Sequence, residues 1–138
     1  MYLLGYDIGS SSVKASLVNA ESGKALAIKP GSTENASQLV QTSGRGREES
    51  WMLKKNPDGT WSLRNMQTGK MADLTADRKV TENGNTVTQY DYHGGVNQKW
   101  YVVPTENGRF KIISALSGKA LCVKDAAASD GAPIIQWS

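Results

Sequence analysis

One histidine, His93, and one cysteine, Cys122, occur among the 138 residues, and these counts restrict the available chemistry more than any motif does. A Cys/His metal centre needs several such ligands to converge. An intramolecular disulfide needs two cysteines, and a thiol nucleophile needs a base beside it. Neither residue has a second His or Cys near it in the sequence, so no metal, no disulfide, no catalytic group and no cofactor are expected. Cys122 reads as a small core side chain, and His93, inside "YHGG", as a turn residue facing solvent. The chemistry that remains is recognition, in which carboxylates and amides form hydrogen bonds and aromatic rings stack.

The elements that must carry such groups announce themselves by repetition. "SGKAL" stands at 22–26 and again at 117–121, with a looser copy, "TGKMADL", at 68–74. Gly23, Gly69 and Gly118 are separated by 46 and 49 positions, and Trp51 and Trp100 by 49. A period in this range marks supersecondary units that bury a core only together. Aligning the copies gives three units, 2–50, 51–99 and 100–138, the last one shortened.

Within each unit the pattern is β. "VKASLV", "WSLRN" and "RFKIIS" are short alternating or apolar runs bounded by "IGSS", "NPDG", "TENG" and the Gly-Lys turns, the punctuation of hairpins. A polar loop and one more apolar run complete each unit at 34–43, 82–91 and 129–138. Nothing sustains a 3.6-residue period, so about four short strands per unit and an all-β fold are expected. A Trp recurring once per unit at the start of a strand reads as a core anchor that buries ~150–250 Å².

The length suits one domain that buries about two-thirds of its unfolded surface. The formal charge of +3 is spread along the chain, which does not point to a nucleic-acid partner. No apolar run nears the ~20 residues of a membrane span, and "MYLLGYDIG" lacks the basic and long apolar regions of a signal peptide. Localisation follows as secreted or periplasmic if a signal segment has been removed, and cytoplasmic if the sequence is complete.

Three β units carrying Gly-Lys turns, followed by "NGNTVTQ" or "GAPIIQW" and then "GGVNQKW", resemble the ricin-type lectin repeat with its Gln-x-Trp signature. The resemblance implies an all-β β-trefoil with pseudo-three-fold symmetry over nearly the whole chain. Gln98-Lys99-Trp100 is a full signature, Glu49-Ser50-Trp51 replaces Gln by Glu, and the third unit reaches Ser138 before its signature is due. Gln98 is expected to bond loop backbone, because a buried amide needs partners.

The implied function is carbohydrate binding, with a glycan or glycoconjugate as partner and a carbohydrate-active enzyme fused to or associated with the module. A sugar site needs acceptors for vicinal hydroxyls and an aromatic face for the C–H side of the ring. In the family the carboxylate follows the Gly-Lys turn, and that position holds Ala27, Asp73 and Cys122 in the three units. The aromatic platform position holds Gln41, Tyr90 and Trp137, and Asn97 falls where the family places a completing amide. Only the second unit combines all three as Asp73, Tyr90 and Asn97, with Gln89, Tyr92 and His93 beside them.

Residues 2–24, "YLLGYDIGSSSVKASLVNAESGK", also resemble the amino-terminal phosphate loop of FGGY carbohydrate kinases. That resemblance implies Asp7 near a metal, a Gly-Ser-Ser turn at phosphate and Lys14 nearby. It ends at Lys24. The later kinase segments have no counterpart, so the alternatives are a kinase-like start joined to a lectin body, or a trefoil used purely as a protein-interaction scaffold.

Overall fold

The computed structural model describes residues 2–4, 12–76 and 80–138. Among the described residues thirteen strands form an antiparallel network with short 3₁₀ turns between them. The first unit contributes β1 (Tyr2–Leu4), β2 (Ser12–Ala15), β3 (Leu17–Asn19), β4 (Ala25–Ile28) and β5 (Ser37–Thr42). The second contributes β6 (Trp51–Lys55), β7 (Trp61–Asn65), β8 (Met71–Leu74) and β9 (Val87–Tyr90). The third contributes β10 (Trp100–Pro104), β11 (Arg109–Ser114), β12 (Ala120–Val123) and β13 (Ile134–Trp137).

Pairing closes these strands into a ring. β2 pairs with β6, β6 with β7, β7 with β10, β10 with β11, β11 with β1, and β1 with β3. β2 and β3, parted only by Ser16, count as one strand that closes the ring at six. The β1 contacts, Tyr2 opposite Phe110 and Leu3 opposite Arg109, join the first unit to the third. The remaining hairpins, β4–β5, β8–β9 and β12–β13, form a three-part cap. Such a six-stranded barrel with three hairpins over one end is a β-trefoil, and the all-β expectation holds.

The core explains the tryptophan period. Trp51 and Trp100 are both fully buried, and each indole N–H donates to a carbonyl in the cap hairpin of the preceding unit, Trp51 to Leu26 at 2.9 Å and Trp100 to Ala72 at 3.1 Å. Leu17, Leu53, Leu63 and Ile112 fill the space around them.

The repeated Ser/Thr-Gly-Lys turn has an equally local cause. Gly23, Gly69 and Gly118 adopt φ of 74°, 73° and 72°, the left-handed region where a Cβ is penalised. The hydroxyls of Ser22, Thr68 and Ser117 accept from the N–H of the following Lys. They also donate to the side-chain oxygens of Gln41, Gln89 and Gln136. Each of these glutamines is essentially unexposed, and its amide nitrogen reaches into a neighbouring unit: Gln41 to the carbonyls of Ala127 and Ser129, Gln89 to Ser32 and Glu34, Gln136 to Val80 and Glu82. The pentapeptide is written repeatedly because each copy orients the amide that staples one unit to another.

Two expectations change here. Leu26 opposes Gln41, Ala72 opposes Gln89 and Leu121 opposes Gln136, so the residue equivalent to Tyr90 and Trp137 is Thr42 and not Gln41. The segment between platform and tryptophan is one residue shorter in the first unit, 42 to 51 against 90 to 100, and that offset displaces a count made backwards from Trp51. Cys122 is half-buried and lines a surface hollow instead of the core. Of the kinase-like segment, Asp7 and the Gly-Ser-Ser turn up to Ser11 lie outside the described residues, whereas Lys14 sits in β2 opposite Met52 with its side chain exposed.

Candidate carbohydrate site

β8 and β9 pair so that Asp73 faces Thr88 and Met71 faces Tyr90. Because direct partners across a ladder project to the same side, Asp73 and Thr88 share one face of the hairpin. The chain beyond Tyr90 folds back through a 3₁₀ turn at Val96–Gln98, which returns Asn97 and Gln98 to the Asp73 carboxylate. The result is a shallow hollow of about 330 Å³ lined by Asp73, Thr75, Thr88, Tyr90, His93 and Asn97, with Ala36 and Ala76 at its edge.

The carboxylate is held from several sides. Asn97 Nδ2 donates to Asp73 Oδ1 at 2.9 Å and Gln98 Nε2 to Oδ2 at 2.8 Å. His93 Nε2 lies 3.4 Å from Oδ2. The His93 ring accepts the Gly95 N–H on Nδ1 at 2.9 Å, so a neutral ring carries its proton on Nε2, pointed at the carboxylate. Burial pushes the Asp73 carboxyl above the usual carboxylate range, while the bonds from Gln98, His93 and Asn97 pull it back. Gln98 does bond loop backbone, donating to the Asp91 carbonyl and accepting the His93 N–H, and it braces Asp73 as well.

The hydrogen-bond inventory then sets what the hollow offers. Asn97 donates to both Asp73 and the Leu74 carbonyl, which engages its two N–H groups and leaves Oδ1 as an acceptor. Asp73 Oδ1 retains acceptor capacity too, since a carboxylate oxygen takes about two hydrogen bonds. The hollow therefore presents two adjacent acceptors, suited to donors such as neighbouring hydroxyls. Tyr90, 39% exposed, forms one wall, and its ring meets His93 edge-on with centroids 6.0 Å apart.

Of the six residues named from sequence, Asp73, Tyr90, His93 and Asn97 come together here. Gln89 does not: it is buried, with its amide engaged by Ser32, Glu34 and Thr68, because it points to the opposite side of the strand from Tyr90. Tyr92 is exposed but lines a different hollow, with Met52, Lys54, Arg64 and Met71. Sequence reasoning passed over Gly95, where an added Cβ would lie 2.6 Å from His93 Cε1 and 2.9 Å from Asn97 Oδ1. The two adjacent glycines of "HGG" were the available signal.

Comparison with known proteins agrees with this architecture. No curated protein matches the chain by sequence. The crystal structure of the designed three-fold symmetric protein ThreeFoil is 38% identical, with a TM-score of 0.84, covering 94% of this chain and 90% of that one. The exo-beta-1,3-galactanase 1,3Gal43A from Clostridium thermocellum is 32% identical with a TM-score of 0.83; the match covers 96% of this chain but 28% of the enzyme. The ricin B-like lectin of Macrolepiota procera, solved in complex with lactose, shares the fold at 15% identity, with a TM-score of 0.77 and coverage of 96% and 89%. The model of the ricin-type beta-trefoil lectin domain-like family matches residues 7–90 and 75–137, and the chain belongs to that family.

Proposed function

We propose that the chain is a non-catalytic carbohydrate-binding module whose second unit takes a sugar of a glycan at Asp73, Tyr90, His93 and Asn97. The observation that carries this reading is the pair of acceptors with capacity to spare, Asp73 Oδ1 and Asn97 Oδ1, set beside a part-exposed tyrosine in one shallow hollow. Vicinal hydroxyls donate to the acceptors, and the C–H face of the ring packs on Tyr90. Galactose-containing glycans are the sugars favoured first, because one relative is a galactanase and one fold neighbour was solved with lactose. The kinase-like alternative has less support, since the described part of residues 2–24 is built into barrel strands.

Isothermal titration with a β-1,3-galactan oligosaccharide, chosen alongside a glycan array, tests the assignment. Asp73→Ala removes a charge-assisted bond worth about 1.5–3 kcal/mol, a loss of roughly ten- to a hundredfold. The variant is expected to stay folded, because Gln98 and Asn97 keep the Asp91 and Leu74 carbonyls as acceptors. A folded Asp73→Ala chain that binds as tightly as the parent would remove the assignment.

A further inference from the structure

Beside the candidate sugar site, and meeting it at Tyr90, runs a row of side chains on one face of the sheet. Strand registers place Lys14 opposite Met52, Met52 opposite Arg64, Arg64 opposite Met71 and Met71 opposite Tyr90. Lys54 stands one outward position further along β6, opposite Ser12 and Ser62. Direct partners project to the same side, so the row crosses five strands and ends at the Tyr90 wall. At ~4.8 Å per strand, Arg64 lies two strands, or roughly 10 Å, from Tyr90, and Lys14 about twice as far.

The row forms a defined surface. Met52, Lys54, Asn56, Ser62, Arg64 and Met71, with Tyr92 as its rim, line a hollow of about 260 Å³. Lys14, Lys54 and Arg64 are exposed. Among the described residues no carboxylate pairs with any of the three, and the one bond made by Arg64 is a 3.4 Å contact with the Gly69 carbonyl. Two carboxylates near this surface in sequence are engaged elsewhere, Asp58 with Lys99 and Asp91 with Lys70 and Asn35.

We infer that this row is an anionic subsite, and that the glycan held by the chain is an acidic polysaccharide whose carboxylates meet Arg64, Lys54 and Lys14. The inference rests on the carbohydrate reading of the chain, though not on Asp73 itself. Three cations on one face, with no counter-ion among the described residues, call for a negative partner by charge complementarity. The guanidinium of Arg64 suits a planar carboxylate. The exposed Tyr92 ring and the half-buried Met52 offer apolar surface to sugar C–H groups between the charges, with Met71 buried beneath them. Continuity with Tyr90 lets one saccharide chain occupy both places.

The probe is polygalacturonate, with its fully methyl-esterified form as the uncharged equivalent and an oligonucleotide as a polyanion that is not a saccharide. At low salt the parent chain is expected to prefer the acid over the ester by roughly tenfold, a preference that shrinks as salt screens it. Lys54→Ala/Arg64→Ala should abolish the preference, while Lys29→Ala/Lys111→Ala, which removes equal charge elsewhere on the surface, should keep it. The inference is overturned if the parent shows no preference, if the two double variants behave alike, or if the oligonucleotide binds as tightly as polygalacturonate. Asp73→Ala, titrated separately with neutral galactan, reports on the sugar site alone, so either idea can fail without the other.

Discussion

The hollows of the second and third units occupy equivalent places in the trefoil and differ in what lines them. Asp73 opposite Thr88 corresponds to Cys122 opposite Ile135, and Tyr90 opposite Met71 corresponds to Trp137 opposite Ala120. The third hollow is the larger, about 610 Å³ against 330 Å³, and its aromatic is the more exposed, 51% against 39%. By size and stacking surface the third unit would be the better site. Yet Ala120, Cys122, Val123, Pro133 and Ile135 take up much of its lining, and its one amide, Gln38, donates to the carbonyls of Val87 and Ile134. Its carboxylate, Asp125, sits on the exposed turn at Lys124–Ala126 and not in the place of Asp73, which Cys122 fills. The first unit is emptier still of ligand chemistry. Ala27 stands in the carboxylate place, and Thr42, in the platform place, donates to Glu49. A hollow and an aromatic come with the architecture, whereas a held carboxylate depends on one residue and on the loop that returns to it.

The largest effect expected from that contrast belongs to Asp73. Beyond the loss of binding expected for Asp73→Ala, the carboxyl should leave a signature in stability. Its folded-state pKa is raised by burial, so the folded state holds the proton more tightly than the unfolded chain does. Ionisation then costs stability as pH rises from the unfolded value of 3.8 through the raised one. Urea denaturation at about pH 3 and pH 7 should show the Asp73→Ala variant gaining on the parent at the higher pH. A difference that stays constant, or reverses, would mean the carboxylate is not desolvated as the hollow requires. Affinity should follow the opposite course and fall on acidification, since a protonated Asp73 is a weaker acceptor.

A smaller effect separates the two aromatics. Tyr90→Ala should weaken galactan binding by about 0.5–1.5 kcal/mol through lost stacking, with the melting temperature nearly unchanged because the ring is part-exposed. Trp137→Ala should leave affinity within error. Equal losses for the two would mean that the third hollow also binds.

Gly95→Ala probes the returning loop. Its φ is −71°, so a side chain meets no backbone penalty, but the new methyl group would press on His93 and Asn97. Binding should drop severalfold with Asp73 untouched, and double titration with Asn97→Ala should show the two losses overlapping instead of adding. The smallest expected effect is at Cys122. Burial pushes its thiol above the usual value, which disfavours the thiolate, and Cys122→Ala should alter neither affinity nor stability beyond about 1 kcal/mol. A measurable loss of glycan binding would return the third unit to consideration.

What the sequence determined by itself was everything with a local cause. β7 and β11 coincide with "WSLRN" and "RFKIIS" because alternation between turn signals reports a half-buried strand directly. The Gly-Lys turns, the buried tryptophans and the three-unit organisation were legible for the same reason, each being repeated in the letters. Asp73 and Asn97 could be paired from 24 positions apart only through the family pattern, and the 3₁₀ turn that joins them is a tertiary fact. The pleat decided that Gln89 is a buried staple while Tyr90 beside it faces out, since adjacent strand residues project to opposite sides. A one-residue difference in loop length moved the first platform place to Thr42. Long-range register alone brought Lys14, Met52, Arg64, Met71 and Tyr90 into one row, because strands distant in the chain become neighbours only when the barrel and its cap close.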